Sequence, residues 1–414
     1  MQKTPRGMRL HIGIFGRRNV GKSSLLNALT RQQVSIVSEI AGTTTDPVEK
    51  PMEFLPLGPV LFVDTAGIDD EGILGEMRVK KTRKVIDRVD LAILVLAGQW
   101  GKFEQQIVDE LKSRSIPIIA AINKIDQVEP SAETIKNLES NNIRWVKTRA
   151  DKGEGILALR ELLLSETPAD FLEPRGILSD LVGPGGMAVL VIPIDKEAPK
   201  GRLILPQVQS IRDLLDHDAT CVVTTDKTLR IVFEQLKVPP KLVVTDSQAF
   251  EKVNADTPPD IPLTGFSVLF SRFRGDLLAQ VEGTLAVDSL KPGDRILVAE
   301  ACTHHPIGDD IGRVKIPNWL NKYIGGKLDY TTIQGHDFPE DVTPYKLVIH
   351  CGACTINRKE VLNRIIRCRN SGVPFTNYGL VIAYSLGLFE RALGPFPEAL
   401  MIYNQAKQSG KIRK

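Results

Sequence analysis

Between residues 9 and about 167 the chain alternates short apolar runs with amphipathic stretches. Residues 10–15, 60–63, 91–96 and 116–122 have strand length and little polar alternation, the pattern of strands buried on both faces. Residues 24–30 and 104–113 carry a helical period between them. Strands alternating with helices predict right-handed βαβ units and a doubly wound α/β sheet.

A linker-like stretch, residues 166–176, closes this block. A second block follows, with strand-like residues 187–194, 220–225, 229–233 and 242–244 and a helical 208–215. Turn-forming residues 254–260 mark another boundary. The predicted domains are therefore 1–170, 175–260 and 264–414, and a length of 414 residues agrees with more than one core.

Composition narrows the function classes. With 42% hydrophobic and 25% charged residues, the chain is globular rather than disordered. Its 53 basic and 50 acidic side chains leave a net charge of +3, short of the footprint of a nucleic-acid binder. Five cysteines are too few, and the wrong parity, for a disulfide framework. Residues 1–7 precede no apolar targeting segment, and the longest apolar runs are too short to span a bilayer. A soluble, cytoplasmic protein with neither membrane nor nucleic acid as partner is expected.

The strongest motif is Gly16-Arg17-Arg18-Asn19-Val20-Gly21-Lys22-Ser23, a G-x-x-x-x-G-K-[ST] match between a predicted strand and a predicted helix. Such a loop wraps backbone N–H groups around phosphates, aided by the helix N-terminus. Gly16, Asn19, Val20, Gly21, Lys22, Ser23 and Ser24 are the predicted phosphate contacts. Lys22 reaches the terminal phosphate oxygens and Ser23 ligates Mg²⁺. Asp64-Thr65-Ala66-Gly67 follows the strand at 60–63, with Asp64 in the magnesium shell and the Gly67 amide on the γ-phosphate. Gly42-Thr43-Thr44-Thr45-Asp46 lies between, where Thr44 can add its hydroxyl to the metal. Asn123-Lys124-Ile125-Asp126 ends the strand at 116–122. A carboxylate there accepts both guanine donors, which adenine lacks, so GTP is selected over ATP.

Four motifs in this order resemble the GTPase group containing the Era, Der and MnmE families. The resemblance implies a potassium-stimulated GTPase, with Asn19 helping to hold K⁺ against the phosphates. Ile68 stands where many GTPases carry a water-positioning glutamine, which implies slow intrinsic turnover. The last guanine motif of the group usually reads Ser-Ala; Thr148-Arg149-Ala150 departs from it, and Ala150 alone matches.

The block from 264 holds four of the six histidines and four of the five cysteines. Cys302-Thr303-His304-His305 follows a strand-like run at 295–299, and His350-Cys351-Gly352-Ala353-Cys354 follows another at 345–349, before a helical 357–367. Loops at the carboxyl ends of parallel strands converge, so the two groups can share one metal centre. The spacing fits tetrahedral zinc, an iron–sulfur cluster with one iron left open, or thiols with a purely structural role. Cys221 and Cys368 stand alone and read as core or helix residues. Residues 266–275, with Arg272 and Arg274, read first as a solvated charged loop and second as a contact for anionic cargo.

Cys-x-His, a long gap and His-Cys-x-x-Cys behind a GTPase resemble the HydF family, maturation GTPases of iron-only (FeFe) hydrogenases. The resemblance covers the whole chain. It implies three α/β domains: a P-loop GTPase domain, a small dimerisation domain and an iron–sulfur cluster domain. It further implies a 4Fe-4S cluster on Cys302, Cys351 and Cys354, with His304, His305 or His350 as fourth ligand or cargo contact. The family works as a homodimeric scaffold and carrier, taking a diiron carbonyl/cyanide precursor assembled with radical-SAM maturases and delivering it to the apo-hydrogenase. The competing reading is an RNA-binding GTPase of ribosome assembly or tRNA modification with a structural zinc.

Overall fold

The computed structural model describes residues 4–30, 47–65, 81–172, 175–194, 201–301, 310–410 and 412. The chain divides into two compact units, residues 1–174 and 175–414.

The first unit is built on one six-stranded sheet. Its strands are β1 (Leu10–Phe15), β2 (Val48–Phe54), β3 (Gly58–Asp64), β4 (Leu91–Leu96), β5 (Ile118–Ile122) and β6 (Arg144–Lys147), in the order β2-β3-β1-β4-β5-β6. All pairs are parallel except the β2–β3 hairpin. The apolar runs are continuous because each face has its own core. Ile12, Ile14, Ile93 and Val95 pack with Leu25, Leu29, Leu159 and Leu163 on one side. Phe15, Leu94 and Leu96 pack with Val108, Leu111 and Leu138 on the other. β2 and β6 are edge strands that keep polar residues half-exposed, and Pro51 sits on such an edge without costing a central hydrogen bond.

The second unit holds two four-stranded parallel sheets. β7 (Met187–Val191), β8 (Thr220–Thr224), β9 (Leu242–Thr245) and β10 (Leu263–Gly265) run in the order β10-β9-β7-β8. β11 (Arg295–Glu300), β12 (Asp329–Gln334), β13 (Leu347–His350) and β14 (Phe375–Asn377) run in the order β12-β11-β13-β14. One continuous apolar core joins them, from Val189 and Val243 to Ile296 and Ile349. The helix Tyr378–Ser385 lies inside it, buried from Gly379 to Tyr384. Among the described residues no helix is long and apolar enough to cross a membrane.

Two local expectations are corrected. Residues 229–233 belong to the helix Leu229–Gln235, not to a strand; five residues of this composition carry no distinguishing period. Residues 266–274 form the helix Phe266–Arg274 rather than a solvated loop, because Phe266, Val268, Leu269 and Phe270 bury a wide apolar face.

Candidate functional site

The P-loop leaves β1 and enters the helix Lys22–Thr30. Its path requires left-handed backbone at Asn19 (φ 61°) and Gly21 (φ 91°). A Cβ on Gly21 would stand 2.3 Å from Asn123 Nδ2, so glycine is required by space as well as by φ. Lys22 is buried, its Nζ donating to the carbonyls of Gly16 and Arg17 at 2.9 and 2.7 Å. Val20 is buried, Asn19 is exposed and Ser24 is half-buried. Ser23 Oγ donates to Asp64 Oδ2 at 2.8 Å, and Asp64 Oδ1 is buried without a hydrogen-bond partner. Burial raises the Asp64 carboxyl above its ordinary range, against the opposing pull of Ser23 and Lys22. A hydroxyl and an orphaned buried carboxylate oxygen at the end of a phosphate loop are the donor set of a Mg²⁺ site.

Asn123 joins the loops. Its Nδ2 donates to the Val20 carbonyl at 2.9 Å, and its Oδ1 accepts from the Ala150 N–H at 3.1 Å and from Thr148 Oγ1 at 3.3 Å. Thr148 and Ala150 thus support the base-binding loop through Asn123 despite the departure from Ser-Ala. Lys124 is also left-handed, at φ 61°. Asp126 Oδ2 lies 3.7 Å from Arg149 Nε. Asp126→Asn is expected to weaken GTP binding about 100-fold, the worth of two charge-assisted hydrogen bonds. The same variant should gain relative affinity for xanthosine triphosphate, whose ring accepts where guanine donates. Equal GTP affinity in titrations of the two proteins would count against the assigned role of Asp126.

One contact had no signature in the sequence. Arg17 donates from Nε and Nη2 to Glu104, both at 2.7 Å, and Glu104 also accepts from the Gly101 N–H at 2.9 Å. Glu104 is buried, so the pair ties the P-loop to the helix Lys102–Ser113. Residues 42–46 with Thr44, and Gly67 and Ile68, lie outside the described residues.

In the second unit β11 and β13 are parallel neighbours, with Ala299 opposite His350. Ala301 and Cys351 therefore leave the sheet at the same end. The Ala301 N–H donates to Cys351 Sγ at 3.1 Å, and Thr355 Oγ1 donates to the Ala301 carbonyl at 3.1 Å. Cys302, next in the chain, lies outside the described residues, as do His304 and His305. Cys351 and Cys354 stand on one loop, both partly buried, with Ala353 between them in left-handed conformation at φ 56°. Burial, then Cys354, pushes the Cys351 thiol up to about 11, while N–H groups of Ala301 and Ala353 and the charge of Arg364 pull it down. A backbone donor on the sulfur suits a thiolate held by a metal, which displaces the proton. Among the described residues no group of three or more His, Cys, Asp and Glu side chains forms a metal-sized cluster.

His350 is placed differently from a free ligand. It is 1% exposed, with Nδ1 2.8 Å from the Cys351 carbonyl and Nε2 2.8 Å from Arg364 Nη1. Burial, then Arg364, lowers it to about 3. Arg274 is buried and lines a pocket of about 10 Å³, room for about one water, with Ser271, Gln280, Cys351 and Asn377. Arg272 instead pairs with Asp180 at 2.6 Å. Cys368 is buried, and its thiol is pushed up to about 12 by burial, as befits a core residue. Cys221 is half-buried on β8.

A parallel sheet carrying a phosphate loop, a magnesium donor pair and a guanine motif defines a P-loop GTPase domain, here followed by two further α/β sheets. A model of 50S ribosome-binding GTPases matches residues 11–124. Models of the hydrogen maturase F dimerization and tetramerization domains match residues 177–275 and 279–395, together more than half of the chain. The chain belongs to the hydrogen maturase F (HydF) family. Among curated proteins it is 37% identical over 169 residues to the tRNA modification GTPase MnmE of Cyanothece sp., covering 40% of this chain and 36% of that protein. It is 40% identical over 166 residues to GTPase Der of Wolinella succinogenes, covering 37% and 35% of the two chains. The match thus spans about a third of the length of these relatives. Among solved structures, Era of Aquifex aeolicus aligns at TM-score 0.35 and 22% identity, over 52% of this chain and 93% of that one.

Proposed function

We propose that this protein is a GTP-hydrolysing scaffold and carrier for the maturation of iron-only hydrogenase. In this reading residues 1–170 bind and hydrolyse Mg²⁺·GTP, with Asn19 holding K⁺. Residues 175–260 pair two copies into a homodimer, and residues 264–414 hold a 4Fe-4S cluster. Ser23, Asp64 and Thr44 serve the magnesium, and Asn123, Lys124, Asp126 and Ala150 the guanine. Cys302, Cys351 and Cys354 hold the cluster. A cluster on three thiolates supplies an iron with an open position. That position is where the diiron carbonyl/cyanide precursor, received from radical-SAM maturases in the cytoplasm, attaches before transfer to the apo-hydrogenase. Arg274, buried and sharing with Cys351 the lining of that small pocket, puts positive charge near the place of such an anionic cargo.

The observation that carries this reading is Cys351 Sγ, which accepts at 3.1 Å from the N–H of Ala301, the residue that precedes Cys302. Anaerobic reconstitution with iron and sulfide is expected to give a brown protein with a reduced-cluster EPR signal, and Cys351→Ser to lose most of its bound iron. A colourless protein that binds one zinc tightly would overturn the cluster and favour a structural zinc.

A further inference from the structure

His350 precedes a proposed cluster ligand, yet both of its ring nitrogens are already committed. The Arg364 guanidinium has only donors to offer. Its Nη1, 2.8 Å from His350 Nε2, therefore requires that nitrogen to accept. The ring proton then sits on Nδ1, which donates to the Cys351 carbonyl at 2.8 Å. The tautomer follows from the chemistry of the partner.

Arg364 is itself clamped. It is 3% exposed, on the helix Arg358–Asn370, and its Nη2 donates to Glu360 Oε1 at 2.5 Å and to the Gly335 carbonyl at 2.6 Å. Its guanidinium lies 5.2 Å over the Phe338 ring. Glu360 is one turn earlier on the same helix, where its N–H is capped by Asn357 Oδ1 at 3.2 Å and the helix dipole favours negative charge. Both Glu360 oxygens also lie 3.0 Å from Nδ1 of the partly exposed His336. Contacts thus run without a break from His336 through Glu360, Arg364 and His350 to the backbone of Cys351.

We propose that Arg364, clamped by Glu360 and the Gly335 carbonyl, is a positioning residue: it fixes His350 as a neutral hydrogen-bond donor to the Cys351 carbonyl, so that His350 shapes the cysteine loop instead of ligating metal. The idea rests on Cys351 being a cluster ligand, but the hydrogen-bond arrangement exists without the cluster. Removing Arg364 alone leaves Glu360 buried and uncompensated, whereas removing both charges does not. The double variant Glu360→Gln/Arg364→Gln accordingly keeps the fold within reach, and Arg364→Lys keeps the charge but loses the fork.

Two measurements on the full-length protein decide it. In metal-free protein labelled with ¹⁵N-histidine, NMR should show His350 as the Nδ1–H tautomer. This signature should be lost in the double variant and partly kept in Arg364→Lys. A wild-type Nε2–H tautomer, or an unchanged one in the double variant, would overturn the proposal. In reconstituted protein, His350→Gln should retain its iron and leave any histidine nitrogen coupling in pulsed EPR unchanged, while the double variant shifts the g-values of the reduced cluster. A nitrogen coupling that disappears in His350→Gln would make His350 a ligand and overturn the proposal. If wild-type protein takes up no iron, the cluster reading fails, and the NMR result alone decides the role of Arg364.

Discussion

Replacing Lys22 by alanine is expected to slow GTP hydrolysis about 100- to 1,000-fold, the usual cost of removing one preorganised donor from developing transition-state charge. The ammonium is already at the mouth of the P-loop, buried and held by the Gly16 and Arg17 carbonyls. Nucleotide phosphates exchange those two neutral acceptors for anionic ones, so little reorganisation is needed. Arg17 does not substitute for the lost charge, because its Nε and Nη2 are held by the Glu104 carboxylate at 2.7 Å, which offsets its charge. Loss of Lys22 also removes a charge that lowers the Asp64 carboxyl, which weakens the magnesium site further. Phosphate release under saturating GTP checks the rate, and a rate within threefold of wild type would remove Lys22 from the mechanism. The same variant tests what hydrolysis is for. If hydrolysis governs exchange of the proposed maturation partners, Lys22→Ala should release them more slowly than wild type in GTP; equal release with and without GTP would reject that role.

How much of this was legible beforehand follows from where each interaction lies in the chain. The strands β1, β3, β4 and β5 could be read because both faces are buried, which leaves uninterrupted apolar runs. β2 and β6 could not, because an edge strand with half-exposed polar residues has no such run. The nucleotide motifs are local, with each group fixed to the end of its own strand, and the placements of Lys22, Ser23, Asp64 and Asn123 follow from that. The role of Asn123 as a clamp between Val20 and Ala150 was not legible, since its partners lie 103 and 27 residues away. Arg17 and Glu104 are 87 residues apart and carry no motif. On the metal side the cysteines were visible by spacing. The engagement of His350 was not, because it depends on a helix that brings Arg364 onto its ring. Glu360 and Arg364 stand four residues apart, a spacing that predicts a surface helix pair; tertiary packing buried this one and gave it a target.

Glu360→Ala should destabilise the second unit by about 3 kcal/mol at neutral pH. Burial by itself would raise this carboxyl, yet the hydrogen bond from His336 and the charge of Arg364 outweigh burial and hold it at about 2, against an ordinary 4.5. A depression of that size corresponds to about 3 kcal/mol. Truncation also leaves the Arg364 guanidinium, 4% exposed, without its counter-charge, a loss of about 3–5 kcal/mol in comparable buried pairs. The sign of the pH dependence is fixed by the direction of the shift. A depressed carboxyl contributes its full stabilisation above the unfolded value of 4.5 and loses it as pH falls toward about 2. Wild type and variant should therefore differ most at neutral pH and converge in acid. Trp319 is the one tryptophan beyond residue 174, packed on the shared core of the second unit. Urea unfolding followed by its fluorescence, in a background with Trp100→Phe and Trp145→Phe, reports that unit separately. Coincident midpoints at pH 7, or a gap that widens on acidification, would mean that Glu360 is not the residue compensating Arg364.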